Sequence, residues 1–106
     1  MFKKKERLTK KEFDRSFSVG KRYHSPTLQL IYEPTDTFHG AAVVGKKVYK
    51  NAVDRNRLRR RMYAVLYRYQ KEHKLSGTFI VVAKPALKDI TKDSFSQEIE
   101  SLLQKV

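Results

Sequence analysis

Cysteine is absent from the 106 residues. That excludes a disulfide framework and any thiolate metal site, and it is compatible with a reducing cytoplasm. Long apolar runs are also missing: no stretch would make a membrane span or a secretory core segment. Acids are few, with 11 Asp and Glu against 24 Lys and Arg. No acidic cluster could carry the paired Mg²⁺ ions of a two-metal nuclease. His24, His39 and His73 match no metal-ligand spacing. Neither a phosphate-binding P-loop pattern nor a nucleophile elbow occurs. A self-contained active site and a protein-bound metal are therefore not expected.

What is present is positive charge. The net formal charge is +13 and the sequence pI is near 10.1. Such a charge says nothing about fold but argues for a polyanionic partner. The length suits one domain with one core, residues 1–106. The charge is concentrated. Gly45 to Lys71 holds ten Lys or Arg against one acid, whereas Leu87 to Val106 holds three Lys against four acids. Met1 to Arg7, MFKKKER, reads as a mobile basic arm.

The densest stretch is NAVDRNRLRRRMYAVLYRYQ, Asn51 to Gln70. Read as a helix, it puts Leu58, Met62, Val65, Leu66 and Tyr69 on one apolar stripe. Arg57, Arg60, Arg61 and Arg68 project to roughly the opposite side, and Arg55 and Arg59 onto the shoulder of the stripe. A helix that needed only solubility would mix Glu with Lys, yet Asp54 is the one acid here. Arginine forks grip phosphate bidentately, so the exposed side reads as a nucleic-acid face. A membrane-surface helix would need free bulky apolar residues, and this stripe is expected to be spent on a core.

The remaining elements follow from local signals. Thr9 and Glu12 form a capping box, with Leu8 and Phe13 placed as its hydrophobic staple, for a helix from about Lys10 to Val19. Gly20 is read as its C-terminal stop. Phe13 and Phe17 share one face, either for core packing or for stacking bases. Lys21 to Pro34 reads as extended, Pro34 to Gly40 as a turn, and Ala41 to Gly45 as a short buried strand. Asn51, or Asp54 for a later start, caps the arginine helix. Lys71 to Gly77 ends that helix and turns. Thr78 to Ala83 reads as a central strand buried on both faces, stopped by Pro85. Thr91 or Asp93 could cap a last helix with Phe95, Ile99, Leu102, Leu103 and Val106 as its stripe.

At the arginine helix the chain resembles the protein subunit of bacterial ribonuclease P. The resemblance covers nearly the whole length. Its characteristic block is VGKKVYKNAVDRNRLRRR, where Lys46 and Lys47 match paired lysines and Arg55, Asn56 and Arg57 match an RNR core. Arg59 and Arg60 match the Lys-Arg pair that follows. Arg7, Leu8, Phe13, Phe17 and Gly20 meet an early RL…F…F…G pattern, Tyr32 an aromatic late in the first long strand, and Ile80 to Pro85 the last strand and its ending. The sequence departs from the family at Gly45, where Ser is common, and at Tyr49 and Lys50, which replace a glycine turn with one extra residue. It departs again at Arg61, where an apolar residue is usual, and at Tyr63, where a further Arg is usual.

The resemblance implies an α+β fold in the order αβββαβα, ribosomal-protein-like, with a left-handed crossover; two strands before the central helix are clear from the residues alone. It also implies a cytoplasmic endoribonuclease subunit. An RNA subunit would use Mg²⁺ to remove the 5′ leader of precursor tRNA. The protein would bind that RNA through Lys46, Lys47, Arg55, Asn56, Arg57, Arg59 and Arg60. It would hold the leader in a cleft lined by Phe13, Phe17 and Tyr32, contributing no catalytic residue of its own. A structural RNA binder such as a ribosomal protein explains the charge equally well but not the ordered block from Lys46 to Arg60. A DNA-binding module would need a helix-turn-helix partner that the sequence lacks, so DNA and membrane partners are not expected.

Overall fold

A computed structural model describes residues 8–89 and 92–106. The basic arm, Met1 to Arg7, and the candidate cap Thr91 lie outside the described residues. The chain runs α1 (Lys10–Val19), β1 (Lys21–His24), β2 (Leu28–Glu33), β3 (Phe38–Val43), α2 (Ala52–His73), β4 (Gly77–Ala83) and α3 (Lys92–Leu103). A short 3₁₀ turn, Pro85–Asp89, follows β4.

Helix α1 starts where the local chemistry dictates. Glu12 N donates to Thr9 Oγ1 at 3.2 Å, and Thr9 N donates to Glu12 Oε1 at 3.0 Å, so two otherwise unpaired amides are satisfied. Gly20 ends the helix, as expected. Its backbone is extended, with φ −67° and ψ 151°. Glycine is needed there for space: a Cβ would lie 2.6 Å from Ile31 Cγ2 and 2.7 Å from the Ser16 carbonyl oxygen.

Three strands precede α2, one more than the residues alone made clear. The stretch from Lys21 to Pro34 is two strands folded into a hairpin, because Ser25 supplies a turn around Pro26. Ser25 N donates to the Leu28 carbonyl at 2.9 Å, and Leu28 N donates back to Ser25 Oγ at 3.0 Å. The turn after β2 is also shorter than expected, since Phe38, His39 and Gly40 belong to β3. Phe38 is buried with its ring 5.8 Å from that of Phe79, which draws the strand start forward.

The sheet order is β1-β2-β4-β3. β4 pairs antiparallel with β2 and parallel with β3. α2 forms the crossover between the parallel pair. Strand β4 is buried on both faces, as its unbroken apolar run requires. Phe79, Val81 and Ala83 join Leu28, Leu30 and Ala42 on one face, under Leu58, Met62, Val65, Leu66 and Tyr69 of α2 and Phe95, Ile99, Leu102 and Leu103 of α3. Val106, expected at the end of the α3 stripe, is 45% exposed and lies past the helix end at Leu103. α3 begins at Lys92, so Asp93 falls inside the helix rather than capping it. On the other sheet face Ile31, Ala41 and Ile80 meet Leu8 and Phe13 of the α1 segment. The result is three layers, with α1 on one side of the sheet and α2 and α3 on the other.

Candidate nucleic-acid interface

Asn51 caps α2: its Oδ1 accepts from Val53 N at 2.8 Å. From there the helix fixes two sets of arginines by rotation alone. Arg57 and Arg60 are exposed, while Arg55 and Arg59 are half-buried on the shoulder. Among the described residues no carboxylate pairs with any arginine of α2; the ion pair present there is Arg15 with Glu33, at 2.9 Å. The guanidinium charges of Arg57 and Arg60 are thus left to solvent, as a phosphate-binding ridge needs.

The other arginines have jobs within the protein. Arg55 Nη1 donates to the Tyr49 carbonyl at 3.0 Å and to the Lys50 carbonyl at 2.6 Å. One terminal nitrogen of its guanidinium therefore holds the loop that precedes the helix. That loop turns at Gly45, whose carbonyl accepts from Val48 N at 3.1 Å. Val48 is driven into the core while Lys46, Lys47 and Lys50 stay exposed. Arg55 thus ties Tyr49 and Lys50 to the first turn of the helix. Arg59 Nη1 donates to Asn56 Oδ1 at 2.8 Å, which orients both side chains along the ridge. Arg61 is exposed, as the helical projection suggests, but it also has a partner within the protein. Its guanidinium lies 4.5 Å from the centre of the Phe95 ring of α3. Arg68 Nη2 sits 3.4 Å from Ser96 Oγ on the same helix.

The α1 layer carries a second surface. Phe13 is half-buried and Phe17 is 37% exposed. Their rings stack with centroids 5.6 Å apart. Arg22 of β1 lies over Phe17 with its guanidinium carbon 4.7 Å from the ring centre, and the same group donates to the Phe17 carbonyl. Phe17 is thus flanked by a ring and by a cation, and the planar Arg22 extends the stacking surface. Arg22 was missed in the sequence. Its only signal was a basic residue beside Lys21 just after the helix stop.

Tyr32 does not join Phe13 and Phe17. Strand residues alternate between faces, and the β2 register that buries Ile31 on the α1 side turns Tyr32 to the other. There its ring packs 5.0 Å from Phe79, and it belongs with the core beneath α2 and α3. A motif match places an aromatic on a strand but not on a face, and a shift of one residue reverses the face.

Glu33 also points to the α1 side, where it accepts from Arg15 at 2.9 Å and from the buried Ser16 hydroxyl at 2.7 Å. This ties α1 to β2. Glu12 is held below its ordinary value of 4.5 by hydrogen bonds from the backbone and side chain of Thr9, so the capping box is ionised at neutral pH.

The family model described as Ribonuclease P matches residues 2–106. The ribonuclease P protein component of Nitratiruptor sp. is 35% identical over 92% of this chain and 88% of its own length. That of Synechococcus elongatus is 33% identical, with 88% and 82% covered. Among solved structures, a Staphylococcus aureus RNase P protein mutant with defective mRNA degradation activity matches with a TM-score of 0.76. It is 27% identical, with 95% of this chain and 87% of that one covered. These findings agree with the αβββαβα order and the four-stranded sheet, and the chain belongs to the ribonuclease P protein family, as the protein subunit of that tRNA-processing ribonucleoprotein endoribonuclease.

Proposed function

We propose that the chain binds the catalytic RNA of ribonuclease P through Arg57, Arg60, Arg59, Asn56 and the Lys46–Lys47 turn, with Arg55 setting that turn. The opposite layer, Phe13 and Phe17 with Arg22, holds the 5′ leader of precursor tRNA. The observation that carries this reading is the unpaired arginine ridge of α2 on one side of the sheet and an aromatic–cationic surface on the other. Two RNA surfaces on opposite layers let one small protein join a catalyst to its substrate. Its contribution is positioning, together with relief of repulsion between two polyanions as lysines and arginines displace condensed counterions.

The proposal assigns Mg²⁺ to the RNA subunit. Among the described residues, no group of three or more His, Asp or Glu side chains could hold a metal ion, so the protein is given no metal-dependent step. The cytoplasm is the proposed compartment; no described helix is long and apolar enough to cross a membrane.

The test is reconstitution. Added to a bacterial ribonuclease P RNA at low Mg²⁺, the protein should restore cleavage of precursor tRNA at the mature 5′ end. Purified protein free of RNA should not cut at that position. Because the Staphylococcus aureus protein is described with an mRNA degradation activity, the assay must read the cleavage site and not merely loss of RNA. Site-specific cleavage by the protein alone would overturn the proposal.

A further inference from the structure

β1 is an edge strand, paired only with β2. Its consecutive residues therefore face opposite sides of the sheet, beside a free row of backbone groups. Arg22 goes to the α1 side and lies over Phe17. Lys21 and Tyr23 go to the other side, where Lys21 Nζ stands 5.4 Å from the Tyr23 ring centre. The register places Lys21 opposite Tyr32, so Tyr23 and Tyr32 flank the lysine on one face. Val19, Lys21, Tyr23, Tyr32, Glu33 and Pro34 line a shallow groove along this edge of the sheet. Both tyrosines are half-buried and Lys21 is exposed. Glu33 brings no free negative charge, because its carboxylate is bound to Arg15 and Ser16 on the α1 side.

We infer that this groove is a second site for single-stranded RNA, and that a leader held on the α1 face crosses the β1 edge into it. The two basic residues of β1 each pair with aromatic surface on a different side, so a strand rounding the edge meets a cation and a ring before and after the turn. Rings offer stacking surface that any base can use, and Lys21 supplies a phosphate contact beside it. The α1 face takes the leader nucleotides nearer the cleavage site, and the groove takes those further upstream. The inference rests on the leader reading given above, and it places Tyr32 in RNA contact from the far face of the sheet rather than beside Phe13.

The experiment uses the holoenzyme reconstituted with a bacterial ribonuclease P RNA. Affinity is measured for precursor tRNAs whose leaders are lengthened one nucleotide at a time, with mature tRNA as the reference. Two gains in affinity should appear as the leader grows. Phe17→Ala should remove the first. Lys21→Ala and Tyr23→Ala should leave the first intact and remove the second, by about fivefold or more, while Tyr23→Phe keeps it. Lys21 is exposed, so its loss of binding cannot be assigned to unfolding. If Lys21→Ala and Tyr23→Ala bind the longest leader as well as wild type while Phe17→Ala does not, the second site is wrong and the leader surface on α1 stands. If Phe17→Ala also binds every leader normally, both readings fall.

Discussion

Arg55 is the residue whose role the structure changes most. A phosphate contact would tolerate lysine in part, because the charge remains. A hold on two loop carbonyls from one Nη1 would not, since it depends on the longer reach and planar geometry of the guanidinium. We expect Arg55→Lys to weaken assembly with the RNA subunit almost as much as Arg55→Ala. Both should lower stability by about 1–2 kcal/mol, the scale for hydrogen bonds from a charged donor. Urea unfolding and RNA binding on the same variants check this; an Arg55→Lys protein that assembles normally would return Arg55 to the phosphate ridge. Arg61 makes the opposite comparison. Arg61→Ala removes a cation–π contact with Phe95 and should cost about 0.5–1 kcal/mol of stability, with a smaller effect on RNA binding than Arg57→Ala. At Glu12 the pKa is depressed, so its charged capping interaction is present above the ordinary value and fades as pH falls. Glu12→Gln should therefore differ from wild type in urea titrations near neutral pH and converge with it in acid, once the depressed Glu12 carboxyl is protonated; a difference that persists in acid would contradict the capping assignment.

The elements show how far the sequence could be read. α1 matches its expected bounds because the capping box and its staple are local, and the α2 stripe matches residue for residue because a 3.6-residue period is long enough to count. β4 was legible for a similar reason, as a run of apolar residues has few other uses. The β1–β2 hairpin was not, because the short Ser25-Pro26-Thr27 turn looks like continuous strand until Ser25 is seen to bond Leu28. Within the site, the arginines of α2 could be placed from the sequence, whereas the contacts of Arg55, Arg61, Arg22 and Tyr32 could not. Each of those four depends on what lies across space: two loop carbonyls, a ring on α3, a ring on α1 and the pleat of β2. At this scale the α1 surface has its own test. Phe17→Ala should weaken holoenzyme binding of precursor tRNA and spare mature tRNA, with stacking losses of about 1–3 kcal/mol per base. Equal losses for both tRNAs, together with a lowered Tm, would show that Phe17 acts only as packing.

At the level of the whole molecule, the fold separates two tasks by a single sheet. The α2 ridge lies on one layer and the Phe13–Phe17 surface on the other, in a body only 35 × 26 × 24 Å in extent. On the reading proposed above, the excess charge gives that body its affinity for polyanions, and the layering decides which RNA meets which side. Electrostatic contacts leave a signature in salt dependence, each neutralised phosphate contributing roughly 0.7–0.9 to the slope of log K against log salt. The most direct measurement is the affinity of the protein for a bacterial ribonuclease P RNA across a salt series, for wild type and for Arg57→Ala. The account predicts weaker assembly, a slope flatter by a little under one unit, and an unchanged Tm, because an exposed helical Arg→Ala substitution is nearly neutral for folding. Unchanged affinity and slope for Arg57→Ala, with both altered in Arg61→Ala, would contradict it.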